Sequence, residues 1–215
     1  MQANNNNTLL VIVTAVIALS AGVWFGLDNY GAKNVPVTKI QGVILSTAKT
    51  IDDFDLIDNK NRKFKLENLK NKWSIMFFGY THCPDVCPMT LTTLQQLSKL
   101  FTRENLTPPQ VILVTVDPQR DTPEVLDEYV GYFDKDFVAA TGDLSEVQKL
   151  ASELGIYFKK AAGASGDVDA DDYAMDHTTS FIVFNPQAEV AAYLKQPHEA
   201  ARILEDLRVI VGSYQ

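Results

Sequence analysis

Two cysteines stand four residues apart in "FFGYTHCPDVCPMTL", residues 77–91, and they are the only two in the 215-residue chain. Each of them, Cys83 and Cys87, is followed by a proline. Thiols in this arrangement can close a disulfide, hold a soft metal ion as thiolates, or pack as inert apolar groups. If a helical turn begins at or near Cys83, the spacing puts both thiols on one face. Their Cα atoms then lie about 6 Å apart, within the range a disulfide closes. Pro84 and Pro88 favour a helix start here, because each fixes its own φ and lacks an N–H. A helix N-terminus stabilises thiolate over thiol, which serves attack on a disulfide as well as metal binding.

A third group comes from far along the chain, in "MDHTTSF": His177. Two thiolates and one imidazole make a three-coordinate soft site, suited to Cu(I) and tolerated by Cu(II). Structural zinc normally takes four protein ligands. His82, next to Cys83, points to a different side, so a closed Cys₂His₂ zinc site is not expected. On the residues alone, His177 is either a third ligand or a structural histidine.

The elements that must position these groups are legible in the apolar pattern. "WSIMFFGY" and "QVILVTV" are continuous apolar runs that suit central buried strands. After the first, "MTLTTLQQLSKLFTREN" places leucines at helical spacing. "TPEVLDEYVGYF" reads as a helix with Thr122 at the N-cap and Pro123 at the first helical position. "FVAAT" is a short strand, and "DLSEVQKLASELG" is a helix closed by Gly155. "FDLIDNKNRKFKL" makes two short strands around a turn, and "TSFIVFNPQAEVAAYL" a terminal hairpin. "PHEAARILEDLRVIV" is a last helix, with His198 expected on the surface at its start. Alternating strands and helices imply an α/β sheet covered on both faces. The order matches the thioredoxin-like fold, in which the first strand of the terminal hairpin runs antiparallel to the cysteine-bearing strand. His177, just before that strand, would return to the thiols. Sites in such sheets lie beyond the carboxyl ends of the parallel strands. Asp117 ends the second buried strand there.

Residues 8–27, "TLLVIVTAVIALSAGVWFGL", run for 20 residues without a charge. At about 1.5 Å per residue this spans roughly 30 Å, the thickness of a bilayer core. A cleaved signal peptide would have a shorter apolar run behind a basic start. Met1 to Asn7 contains no lysine or arginine, so an uncleaved single-span anchor is expected. The domains therefore read as a tail (1–7), an anchor (8–27), a linker (28–39) and a folded domain (40–215). Flanking Lys33 and Lys39 do not settle which side the domain occupies, since long domains cross largely regardless of such charge. The domain is large enough to bury a core without a disulfide, so the cysteine pair reads as functional. A net charge of −8 argues against nucleic acid as a partner.

Three blocks, "GYTHCPDVCP", "VTVDPQRDTPEVLDEY" and "DHTTSFIVFNP", resemble those of the Sco/SenC family. The resemblance covers the chain from about residue 40 to its end, and the N-terminal anchor fits it. Members of that family are membrane-anchored, thioredoxin-like proteins that deliver copper to the CuA centre of cytochrome c oxidase subunit II. The resemblance implies that Cys83, Cys87 and His177 are copper ligands, and that the soluble domain lies on the periplasmic, outer side. It implies oxidase subunit II, or another copper-receiving protein, as the partner; a monomer is expected.

Other marked residues read less specifically. Asp117 and Asp176 are either groups that orient a ligand or meet a partner, or caps of local structure. Arg120 and Asp121 are expected to pair with each other. The aspartates of residues 163–177 lack the twelve-residue calcium pattern, and that stretch reads as a mobile, solvated loop. Two functions compete for the thiols: a copper metallochaperone, which is not an enzyme, and a thiol–disulfide reductase that keeps a target's cysteines reduced. Only the first needs His177. A thiol peroxidase is disfavoured, because the residues ahead of Cys83 lack the Pro-x-x-x-Thr-x-x-Cys pattern. A pure adaptor would leave the paired cysteines unexplained.

Overall fold

Alternation along two apolar strands builds the centre of the molecule. The computed structural model describes residues 13–20, 40–168 and 170–214. Strand β4 (Ser74–Gly79) is buried throughout and pairs in parallel with β5 (Gln110–Thr115). Ile75 and Phe77 face one core, with Val111 and Leu113. Met76 and Phe78 face the other, with Ile112 and Val114. Successive side chains in a strand point to opposite faces, so a strand apolar at every position demands cover on both sides.

The full sheet has eight strands. β1 (Gly42–Lys49), β2 (Leu56–Asp58), β3 (Lys63–Phe64), β6 (Val138–Thr141), β9 (Phe181–Phe184) and β10 (Val190–Leu194) join the two central strands, in the order β1-β10-β9-β4-β5-β6-β2-β3. β4, β5 and β6 are parallel, and β9 returns antiparallel to β4. Helices α1 (Val86–Arg103), α2 (Pro123–Phe133) and α4 (Ala200–Ser213) complete the core that Ile75 and Phe77 face. Helix α3 (Leu144–Glu153) covers the opposite face. Completely buried aromatic residues such as Phe78 and Phe181 each contribute about 1.5–3 kcal/mol relative to exposure.

The expected elements are present, with three differences that bear on the site. The helix after Cys83 does not start at that residue: it begins at Val86, with Asp85 at the N-cap, so Cys83 sits in the turn ahead of it. His177 does not immediately precede the terminal hairpin. It ends a separate strand, β8 (Ala174–His177), paired antiparallel with β7 (Phe158–Ala161) in a two-stranded sheet. The end of the stretch read as a solvated loop is therefore strand, and within the rest Asp172 accepts hydrogen bonds from the Ser165 N–H and hydroxyl. His198 is not a surface residue. Its ring stacks on Phe181 at 3.7 Å and 8°, and Nε2–H donates to the Thr179 carbonyl at 3.0 Å.

Helix α2 begins as anticipated, with the Val125 N–H donating to the Thr122 hydroxyl at the N-cap and Pro123 in the first turn. Gly155 follows α3 with φ of 68°. Strands β1 and β7 have no counterpart in the sequence reading. β1 alternates only weakly between half-buried and exposed residues, as an edge strand does. Its start is held from the other end of the chain, where the Gln41 N–H donates to buried Asp206 at 3.0 Å.

In the N-terminal unit, Met1–Thr38, residues 13–20 are helical. Among the described residues no helix is long and apolar enough to cross a membrane. The remainder of the expected anchor (8–12 and 21–27), the tail and the linker lie outside the described residues.

Burial lowers the pKa of His198, and the Thr179 carbonyl opposes that only in part. A histidine depressed in the folded state binds its proton more readily when unfolded. Its contribution is intact above the unfolded value, about 6.5, and is lost as pH falls below it. Wild-type unfolding free energy should therefore fall more steeply than that of His198→Phe between about pH 6.5 and pH 5. Denaturant titrations across that window check this; parallel profiles would remove His198 as the cause.

Candidate metal centre

The end of β4 sets the site. A Cβ at Gly79 would stand 2.9 Å from the Cys87 sulfur, closer than real side-chain contacts allow. Glycine there lets the buried thiol of Cys87 pack directly on the strand. Cys83 is half-buried, and both thiols are free. The turn between them is held by the Cys83 N–H donating to the Tyr80 carbonyl at 3.4 Å, and by the Cys87 N–H donating to the Cys83 sulfur at 3.4 Å.

His177 meets the pair from β8. Its Nε2 lies 3.9 Å from the Cys87 sulfur. Its Nδ1 lies 3.1 Å from the Thr178 carbonyl, an acceptor only. Nδ1 must therefore carry the ring proton, which leaves the Nε2 lone pair facing the sulfur. The Tyr80 ring stands edge-on to the imidazole, 6.1 Å away at 89°. Among the described residues no three histidine, cysteine or acidic side chains already encircle a cation position. The thiol–imidazole pair adjoins; it is not closed around a centre.

The two thiols are electrostatically unequal. Hydrogen bonding from Cys87 stabilises the Cys83 thiolate, and the N–H groups of Cys87 and Asp85 add to it, against the cost of burial. Together they pull Cys83 well below the ordinary thiol range. Cys87 is pushed up, first by holding its proton toward Cys83 and then by burial. The asymmetry favours the thiolate on the more exposed sulfur of the two.

Asp117 is buried and acts at one remove from the thiols. It accepts the Tyr173 hydroxyl at 2.7 Å and pairs with Arg120. Arg120, not paired with Asp121 as the sequence reading had it, also donates to the Asp171 carbonyl at 3.3 Å. Its guanidinium lies 3.6 Å from the Tyr173 ring centroid, and the Lys160 ammonium lies 4.0 Å from the same centroid. These contacts tie the segment leading into β8 to the loop after β5, and so hold the strand that ends in His177. Asp121 instead accepts from the Thr115 hydroxyl, the Thr81 hydroxyl and the Thr81 N–H. Its pKa is raised, burial outweighing those three donors. Asp176 is exposed, on the opposite face of β8 from Met175 and His177, so it does not orient the imidazole. Tyr80, Tyr173 and Gly79 were not singled out from sequence. Tyr80 and Gly79 sit inside the cysteine block, but Tyr173 carries no signal without the fold.

The SCO1/SenC family model matches residues 44–212. A SCO2-like protein of Rickettsia felis is 25% identical over 203 residues, 94% of this chain and 97% of that protein. ScoI of Arabidopsis thaliana, solved with copper bound, superposes with a TM-score of 0.70 at 26% identity, covering 76% of this chain and 98% of that one. Yeast Sco1 with copper bound gives 0.68 at 29% identity, covering 78% and 91%.

Removing the Tyr173 hydroxyl should loosen the strand that carries His177. Tyr173→Phe keeps the ring under Arg120 but leaves buried Asp117 short of a donor, at a cost of about 1–3 kcal/mol. Amide hydrogen exchange in Ala174–His177 should quicken accordingly. Wild-type stability and exchange rates in that variant would mean the hairpin is held by something else.

Proposed function

The chain belongs to the SCO1/SenC family, and on that premise we propose that it is a copper metallochaperone. It binds copper through Cys83, Cys87 and His177 and delivers it to the CuA centre of cytochrome c oxidase subunit II. One observation carries the reading: the Nε2 lone pair of His177 faces the Cys87 sulfur at 3.9 Å while Nδ1 is tied to the backbone. Ligands at about 2.3 Å (sulfur) and 2.0 Å (nitrogen) from one ion, at a trigonal angle, lie roughly 3.8 Å apart. The donor set fits the ion. Two sulfurs satisfy Cu(I), and the imidazole extends the site to Cu(II). The copper-bound relatives support the same cargo.

The residues divide the work of transfer. Cys83, half-exposed and favoured as the thiolate, is where an incoming ion or a competing thiolate meets the site. Cys87 is buried behind it. His177 arrives on a separate hairpin, so it can close on the ion without disturbing the helix. Oxidation of the two cysteines to a disulfide removes both sulfur ligands, which makes binding conditional on reduction.

The unequal thiols also support a second reading, the thiol–disulfide reductase: a thiolate at Cys83 to attack, and a buried thiol at Cys87 to resolve. The readings part at His177, which a reductase does not need. His177→Ala should lose Cu(II) almost entirely, lose Cu(I) less, and still form and release the disulfide. In cells it should fail to mature the oxidase, as Cys83→Ala does. Normal maturation with His177→Ala alongside failure with Cys83→Ala would replace delivery by reduction as the function.

We further propose that residues 8–27 anchor the chain with its folded domain outside the cytoplasm, where the CuA centre is expected. Protease added to spheroplasts should digest the domain. A domain left intact while a known outer domain is cut would reverse the orientation.

A further inference from the structure

Beside the thiols lies a groove that the copper chemistry does not use. Thr81, two residues before Cys83, forms one wall. Val125, Glu128, Tyr129, Tyr132 and Phe133 of helix α2 form the rest, around a volume of about 630 Å³. Tyr132 is 85% exposed. It is nonetheless seated, edge-on to Phe133 at 5.3 Å and 86°, and Tyr129 meets the same ring at 5.8 Å and 76°. The Tyr129 hydroxyl is buried and finds no hydrogen-bond partner among the described residues. A clustered aromatic surface with an unsatisfied polar atom in its wall is what an interface presents before its partner arrives.

Charge identifies the kind of partner. Residues 81–98 and 121–134, which make the start of α1 and the whole of α2, contain no lysine or arginine. Their charged side chains are Asp85, Asp121, Glu124, Asp127, Glu128 and Asp134. Arg120, adjacent in sequence, is committed inward to Asp117. Lys60 reaches Asp127 from the β2–β3 turn, which leaves Glu124 and Glu128 exposed beside the groove. A second copy of this chain would set acid against acid, and an anionic membrane surface would be repelled in the same way.

We propose that this groove is the docking surface for the protein that exchanges copper with Cys83 and Cys87, and that the partner inserts an apolar side chain bordered by lysine or arginine. The identity of that partner rests on the delivery reading; the surface does not. Docking here sets the partner's metal site next to Cys83, the more exposed of the two sulfurs. The acidic border steers a basic partner and fixes its orientation, and the aromatic pocket supplies the affinity.

The test uses the full chain in detergent and, as probe, the apo soluble CuA domain of the cognate oxidase subunit II. Two variants lie outside the metal-binding residues: Tyr132→Ser and Glu128→Lys. Both should take up copper as the wild type does. Tyr132→Ser should weaken association about tenfold, the effect of truncating an aromatic anchor. Glu128→Lys should weaken it more at low than at high ionic strength, since a border charge is screened by salt. Wild-type affinity and transfer rate in both variants would overturn the proposal, as would a wild-type chain that fails to bind the domain even at low salt. Association without appearance of the CuA absorption would overturn the delivery reading and leave the docking surface standing.

Discussion

The sulfur of Cys87 occupies the space that a side chain at position 79 would fill. Everything at the site is arranged around that contact. It places the first turn of α1 against the carboxyl end of β4, where the parallel strands leave a gap between their loops. With Cys87 fixed, the short turn behind it brings Cys83 back toward its N–H at 3.4 Å. The other side of the same sulfur is left for His177, which arrives at 3.9 Å. Any residue larger than glycine at position 79 would force the Cys87 sulfur and the Leu113 side chain to shift.

Negative charge accumulates at this end of the sheet, and the protein handles each case differently. Asp117 is neutralised by Arg120 and bonded by Tyr173. Asp121 is surrounded by three donors and shifted toward its protonated form by burial. In the thiol pair the balance favours the thiolate at Cys83, the sulfur that is less buried. Removing a charge from water is costly unless it is paired or hydrogen-bonded. In the proposed function, a copper cation is the counter-charge this cluster lacks. The acidic border of the neighbouring groove extends the same sign outward, toward a partner of opposite charge.

His177 is held from a distance. Its strand belongs to a two-stranded sheet outside the main one, and Met175 of that strand packs on the core that Met76 and Phe78 face. Its position depends on the Tyr173–Asp117–Arg120 contacts and on the Nδ1 bond to Thr178. A ligand mounted this way can be firmly aimed and still move as a unit with its hairpin. The site thus draws one thiol from the first turn of α1, one from the turn ahead of it, and an imidazole from a small separate strand.

Much of this was legible in the sequence because it is local. Continuous apolar runs named β4 and β5, and helical spacing named α1 to α4. Thr122–Pro123 named the start of α2, and the cysteine spacing together with the distant Asp-His block named the candidate site residues. These are matters of backbone periodicity, capping and residue chemistry, which a short window of sequence carries. The tertiary structure decided the rest. Thr115, Thr81 and Asp121 are up to 40 residues apart, and Asp117 finds Tyr173 56 residues away. Arg120 chose Asp117 over its neighbour Asp121 because three other donors had already taken Asp121. β1 and β7 gave no apolar signal, since edge strands bury little. His198 was hidden because its burial depends on a ring from another strand. Pairings across such separations are set by the sheet order, which brings together residues that no local pattern connects.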